Sequence, residues 1–189
     1  MKRLDLRIIT DLIPPGAKVL DLGCGDGELL AALIRDKQAV ARGVEISETN
    51  VRACIARGVP VRQGNIEEGL ADFRDGAFDY VVLSDTIGYL NHPLPVMREM
   101  LRVGARAVVS FANAAHWRSR VQALRGHGFG TALASGEPRV RAITLHQFEE
   151  FVGELQSRVE QRHFVNGRGR VSSAPTFTAR MAVYVIRSA

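Results

Sequence analysis

The sequence predicts an α/β domain spanning residues 1–189, built on a single doubly wound, mostly parallel seven-stranded sheet with an antiparallel C-terminal strand. Three observations carry that expectation. Short β-branched runs alternate with amphipathic stretches along most of the chain, the pattern of a parallel sheet covered by helices. One of those runs, residues 78–85 (FDYVVLSD), is apolar through its centre, which marks a strand buried on both faces. The last two runs, residues 158–165 and 178–187, alternate in polarity and are joined by a Gly/Arg/Ser-rich turn, as in a closing hairpin.

In chain order, residues 18–23 (KVLDLG) form the first strand. A glycine loop follows, then a helix over residues 28–36 with Leu29, Leu30, Leu33 and Ile34 on one face. Residues 41–46 make the second strand. Ser47 caps a helix that runs to Arg57 and stops at Gly58. Residues 59–65 and 78–85 are the third and fourth strands. Pro93 opens a helix carrying Val96, Met97, Met100 and Leu101, and residues 105–112 are the fifth strand. Residues 117–124 read as helix and residues 126–137, rich in glycine, as a loop or flap. Thr144 and Gln147 form a capping box for a helix through Leu155.

Bulk properties exclude several classes. Hydrophobic residues make up 46% and charged residues 24%, a globular composition with no apolar run near the roughly 20 residues that span a bilayer. The N-terminus lacks the apolar core of a signal peptide. Cys24 and Cys54 have no metal-ligand spacing, and neither do His127, His146 and His163, so no metal is expected. A reducing cytoplasm is the expected location. The net charge of +5 reads either as a solvated basic surface or as attraction to nucleic acid. The arginines are scattered rather than clustered, which favours the solvated surface and makes a nucleic-acid partner unexpected.

The chemistry concentrates at strand ends. Residues 19–27 read V-L-D-L-G-C-G-D-G, with Gly23, Gly25 and Gly27 between a strand and a helix. Glycine permits a sharp turn and close approach of a ligand to the main chain. Glu28 stands where a dinucleotide fingerprint wants its third glycine, and Asp21 closes the strand with a carboxylate. That carboxylate repels a pyrophosphate and attracts an ammonium. Glu45 ends the second strand, where an acidic side chain accepts hydrogen bonds from ribose hydroxyls or, alternatively, faces a helix N-terminus. Beside it stands Ile46. Asn65 followed by Ile66 ends the third strand, suited to an adenine amine and ring face, with Asn65 as a plain turn residue the alternative. Ser84 and Asp85 end the fourth. Together these place a nucleoside ligand at the carboxyl edge of the sheet.

The run VLDLGCGDGELLAAL, then GVEI, ACIARGVPV and EEGLADFRDGAFDYVVLS, resembles the class I S-adenosylmethionine-dependent methyltransferases, a Rossmann-like fold. Within them it is most similar to the MetW family of methionine-biosynthesis proteins. The likeness continues through His92-Pro93, EMLRVG at residues 99–104 and VSFANAAHWRSRVQ at residues 109–122, and is close over residues 2–125. The resemblance implies that Asp21, Gly23, Gly25, Gly27, Glu45, Ile46, Asn65, Ile66 and Ser84 bind S-adenosylmethionine or S-adenosylhomocysteine. It implies homoserine O-acyltransferase as a partner, besides a small-molecule acceptor. The family pattern has Asp at position 65 and Gln at position 85, and its W-Y-D-T-P-N-I-H segment is reduced here to ASGEPRVR, residues 134–141.

Methyl transfer asks of a protein mainly proximity, alignment and a dry pocket, with a general base only when the acceptor must lose a proton. Candidates beside an acceptor are Asp85, Tyr89, Asn113 and His116. His116 reads either as that base or as a helix cap next to Trp117, which is expected to pack in the core. Tyr89 reads equally as a core ring. The competing functions are an active small-molecule methyltransferase and a cofactor-sensing or scaffolding subunit of the acyltransferase. An RNA methyltransferase and an NAD-dependent oxidoreductase are weaker alternatives.

Overall fold

The computed structural model describes residues 3–125, 140–167 and 169–189. Its helices are α1 (Leu4–Leu12), α2 (Glu28–Lys37), α3 (Glu48–Ala56), α4 (Pro93–Val103), α5 (Trp117–Leu124), α6 (Leu145–Glu154) and the single turn α7 (Pro175–Thr178). Its strands are β1 (Lys18–Leu22), β2 (Val40–Glu45), β3 (Val61–Gln63), β4 (Phe78–Ser84), β5 (Gly104–Ala112), β6 (Ser157–Asn166), β7 (Gly169–Arg170) and β8 (Met181–Ser188). They form one sheet in the order β3-β2-β1-β4-β5-β8-β6-β7. Strands β1 to β5 pair in parallel, and β8 inserts antiparallel between β5 and β6. Among the described residues the sheet therefore has eight strands rather than seven. The extra one is the two-residue β7, which pairs with the end of β6 in a turn too short to show a period.

Because side chains alternate across a strand, the sheet sorts its residues into two cores. Leu20, Leu22, Val81, Leu83, Ala107, Val109 and Phe111 face α4 and α6, where Phe148 lies with its ring centroid 4.7 Å from Phe111 and 4.8 Å from Tyr184. Val19, Ala41, Val82, Val108, Val183 and Val185 face the other way, against α1 and α2. By the same alternation Asp21, Ser84 and Ser110 share this second face.

Local signals account for the helix ends. Ser47 Oγ accepts from Asn50 N–H at the start of α3, and Thr144 with Gln147 completes the capping box of α6. Helix α1 was not among the expected elements. It carries Leu6 and Ile9 inward, with Ile13 just past its end, all three buried, together with a fully buried Asp5. Trp117 is corrected: its ring is half-exposed, with the Arg118 guanidinium 5.3 Å from its centroid, instead of packed in the core. The expected loop at residues 126–137, His127 and most of the divergent segment 134–141 lie outside the described residues. Among the described residues no helix is long and apolar enough to cross a membrane, and no group of His, Cys, Asp and Glu is arranged to hold a metal.

Gly43 of β2 shows how tightly the second face is packed. A Cβ there would run into the Cys24 side chain and Leu30 Cδ1. Overpacking of this kind costs about 1–3 kcal/mol. A Gly43→Ala variant should lose stability in that range in urea denaturation, with an unchanged m value.

Candidate functional site

The turn between β1 and α2 needs glycine. Gly23 and Gly25 have φ of +70° and +56°, a conformation L side chains rarely adopt. A Cβ on Gly23 would also lie 2.9 Å from both Thr86 Cγ2 and Oγ1. Gly27 caps α2 and packs against Cys54. The loop is latched to β2: Gly25 N–H donates to Glu45 Oε2 and Ser47 N–H to Glu45 Oε1, both at 2.9 Å. Glu45 thus holds two backbone donors, one in the glycine loop and one at the N-cap of α3. Cys24 and Cys54 face each other behind the loop, Sγ to Sγ 3.9 Å, and burial pushes the Cys24 thiol well above its usual range.

On the face covered by α1, a cavity of about 170 Å³ is lined by Asp21, Gly23, Gly25, Asp26, Ser84, Leu6 and Arg3. Asp21 is buried, and among the described residues its Oδ1 has no hydrogen-bond partner. Burial raises its pKa to about 8, with the Arg3 charge opposing and Glu45 adding to the rise. The neighbouring Asp5 is partnered on every side. Its carboxylate accepts from Ser84 Oγ and Ser110 Oγ, each at 3.2 Å, and from Arg3 Nη2 at 2.5 Å and Nε at 3.2 Å. Arg3 Nη2 also donates to Ser84 Oγ at 3.0 Å and lies 3.9 Å from Asp85 Oδ2.

A second cavity, also about 170 Å³, meets the first at Gly23 and is lined by Val44, Ile46, Asn65, Ile66, Thr86, Tyr89 and Leu90. Ile46 is largely exposed and Ile66 buried, so the slot has an open apolar wall and a closed one. Asn65 Oδ1 accepts from Glu67 N–H at 3.0 Å, which makes it the cap of a 3-10 turn at Ile66–Glu68 as well as a lining residue. Tyr89 is half-exposed at this cavity instead of a core ring.

The structure separates the acceptor-side candidates. His116 caps α5, with Nδ1 accepting from Arg118 N–H at 3.2 Å, and burial followed by Arg180 and Arg118 lowers its pKa. Asn113 is consumed by structural bonds, donating to Thr176 and Ala179 carbonyls and accepting from Ala115 N–H, each at 3.0 Å. Asp85, in a left-handed conformation with φ of +55°, stands half-exposed beside Arg3, and burial raises its pKa against the pull of that charge. A further hollow of about 230 Å³, lined by Ile87, Pro93, Ile143 and Phe148, brings in one charge, Arg141, which donates to Asn91 O at 2.7 Å. Arg3, Asp5 and Thr86 had no signal as site residues in the sequence. For α1 itself the i, i+3, i+7 spacing of Leu6, Ile9 and Ile13 was such a signal.

A parallel sheet with an antiparallel strand inserted beside β5, and a glycine turn flanked by carboxylates, define the class I S-adenosylmethionine-dependent methyltransferase fold. The CcbJ methyltransferase from Streptomyces caelestis superposes with a TM-score of 0.74 at 18% identity, covering 99% of this chain and 90% of that one. A S-adenosylmethionine-dependent methyltransferase from Thermotoga maritima gives 0.73 at 16%, covering 98% and 88%. Over residues 3–186 the chain matches the family described as methionine biosynthesis protein MetW, and it belongs to that family. The bifunctional methionine biosynthesis protein MetXA/MetW of Rhodopirellula baltica is 34% identical over 178 residues. The alignment covers 85% of this chain and only 28% of that relative's length.

Asp21 makes stability depend on pH. The unfolded chain ionises this carboxyl near its ordinary pKa of about 3.9, whereas the folded protein holds the proton to about 8. The contribution is therefore full below pH ~4 and is lost as pH rises through about 8. Thermal unfolding between pH 5 and pH 8 should show the wild-type protein falling relative to an Asp21→Asn variant.

Proposed function

We propose that the two cavities joined at Gly23 bind S-adenosylmethionine or S-adenosylhomocysteine, and that the protein acts in methionine biosynthesis. The observation that carries this reading is the orphaned Oδ1 of Asp21. A buried acceptor without a donor is rare because it forfeits its hydration, and a ligand ammonium supplies the missing partner. The rest of the donor set fits the same group. Glycine at 23 and 25 opens the main chain to close approach, and Ile46, Ile66 and Leu90 offer apolar walls to a planar base. Glu45 keeps the loop in place through Gly25 and Ser47.

When bound, S-adenosylmethionine supplies an electrophilic methyl group on a sulfonium. The protein's part is to orient that group and exclude water around it. For a small-molecule acceptor that must lose a proton, Asp85 is the candidate base. It is half-buried, has a raised pKa and is held beside Arg3. His116 and Asn113 are committed to the backbone, so we assign them no catalytic part.

The joining of MetXA and MetW in one relative supports a second reading, in which the protein works with homoserine O-acyltransferase as a partner that responds to the bound nucleoside. Calorimetric titration with S-adenosylmethionine and S-adenosylhomocysteine tests the common core of both readings. Micromolar binding is expected for the intact protein and at least a tenfold loss in Asp21→Ala and Glu45→Ala. Absence of binding by the intact protein would overturn it. Adding the protein to homoserine O-acyltransferase should change the acyltransferase rate in the second reading, whereas turnover of the methyl donor with acceptor alone identifies the first.

A further inference from the structure

Helix α5 buries none of its residues. A surface helix normally turns an apolar stripe inward, and α5 has the stripe without the burial. Trp117, Val121 and Leu124 stand at i, i+4 and i+7, yet Trp117 is 49% and Leu124 88% exposed. Phe177 of α7 extends the patch, half-exposed, with the Arg120 guanidinium 4.4 Å from its ring centroid. The chain around the patch carries charge of one sign. Residues 113–125 and 166–181 hold six arginines and no Asp or Glu, so these segments offer no internal counter-charge. The fold joins them: the Asn113 side chain donates to the Thr176 and Ala179 carbonyls, and its N–H donates to Arg180 O. Burial, then Arg180 and Arg118, lower the His116 pKa, so both cations act on one ring. Among the described residues neither makes an ion pair. Arginines that look scattered in the sequence are thus gathered around an unpacked apolar helix face.

We propose that the outer face of α5, with Phe177 beside it, docks homoserine O-acyltransferase, the Trp117–Leu124 stripe entering an apolar groove whose rim carries carboxylates. The assignment rests on the second reading given above, in which the protein works with that acyltransferase, and adds the surface and its chemistry. Anchors at i, i+4 and i+7 are the pattern by which a helix fills a groove on another protein. Trp and Arg are the residues that most often carry the energy of such contacts. Guanidinium forks without an internal counter-charge pair well with carboxylates at the rim. A nucleic acid matches the same charge less well. It offers no apolar groove for Leu124, and both aromatic rings already carry a guanidinium, Arg118 on Trp117 and Arg120 on Phe177. Trp117, Leu124 and Phe177 line neither of the cavities that meet at Gly23, so nucleoside and acyltransferase can be held together.

The test titrates the full chain calorimetrically with homoserine O-acyltransferase of the same organism. The wild-type protein should bind, and Leu124→Asp and Arg118→Glu should each weaken binding at least about tenfold. Leu124→Met, which keeps the apolar anchor, should stay within about threefold of wild type. Raising NaCl from about 50 to about 500 mM should weaken wild-type binding about tenfold and Arg118→Glu less. Both disruptive variants change exposed side chains, so their thermal unfolding should match that of the wild type. Unchanged affinity in both variants would overturn the assignment and leave the partnership with the acyltransferase standing. A wild-type dimer in sedimentation that Leu124→Asp dissociates, without acyltransferase binding, would give the face to a second copy of this chain and overturn the proposal. Binding of a labelled single-stranded RNA that Arg118→Glu abolishes, again without acyltransferase binding, would overturn it in favour of nucleic acid. If the wild-type protein does not bind the acyltransferase at all, the second reading falls and this assignment with it, while nucleoside binding is decided by its own titration.

Discussion

A sheet buried on both faces must place every side chain of its central strands against one helical layer or the other. In this protein the strict alternation along β1, β4 and β5 sends Val19, Val82 and Val108 beneath α1 and α2. The same parity carries Asp21, Ser84 and Ser110 to that layer at the carboxyl ends of the strands, where the apolar packing stops. Polar groups collected at such a depth must find partners, because each unpaired one forfeits its hydration. Asp5, delivered by α1, satisfies the two serines and is satisfied by Arg3. Asp21 retains an oxygen without a donor. The difference between these two buried acids separates the one that ties the fold together from the one on which the proposed function rests.

Electrostatics and shape divide the region in the same way. The Asp21 end is hydrophilic, with Arg3 and Ser84 on its walls, and the Ile46–Ile66 end is apolar. Gly23 is the hinge point where they meet, and Thr86 crowds the space a larger residue would fill. Glu45 stabilises the junction from below by accepting two backbone N–H groups. Its negative charge also adds to the cost of ionising Asp21. In the proposed function, a donor brought by the ligand would relieve that cost and couple binding to the protonation of Asp21 through one buried oxygen.

Several residues with suggestive chemistry turn out to build the scaffold. Asn113 ties the end of β5 to the chain around Thr176 and Ala179, and His116 caps α5. Asn65 divides its side chain between a turn and a cavity wall. In each case a polar side chain near a strand end satisfies main-chain groups that the end of a regular element leaves open. Residue type and spacing alone leave both uses open, because the deciding partners are distant in sequence or belong to the backbone.

The sequence by itself determined the order of β1 to β5 and the helices α2 to α4 between them, the caps of α3 and α6, the glycine turn and the acids at the ends of β1 and β2. These depend on local periodicity and on conformations that only certain residues adopt. It also contained the motifs by which the chain resembles its family. The tertiary structure alone decided the place of α1, the pairing of Arg3 and Asp5 with serines about 80 to 105 positions away, and the isolation of Asp21 Oδ1. Charged residues at a chain's beginning look in sequence like a solvated end. What draws them inward is the burial of Leu6 and Ile9 on one face of a short helix and of Ile13 just past its end. That burial carries Asp5 inward, and a buried carboxylate must then be matched by a cation.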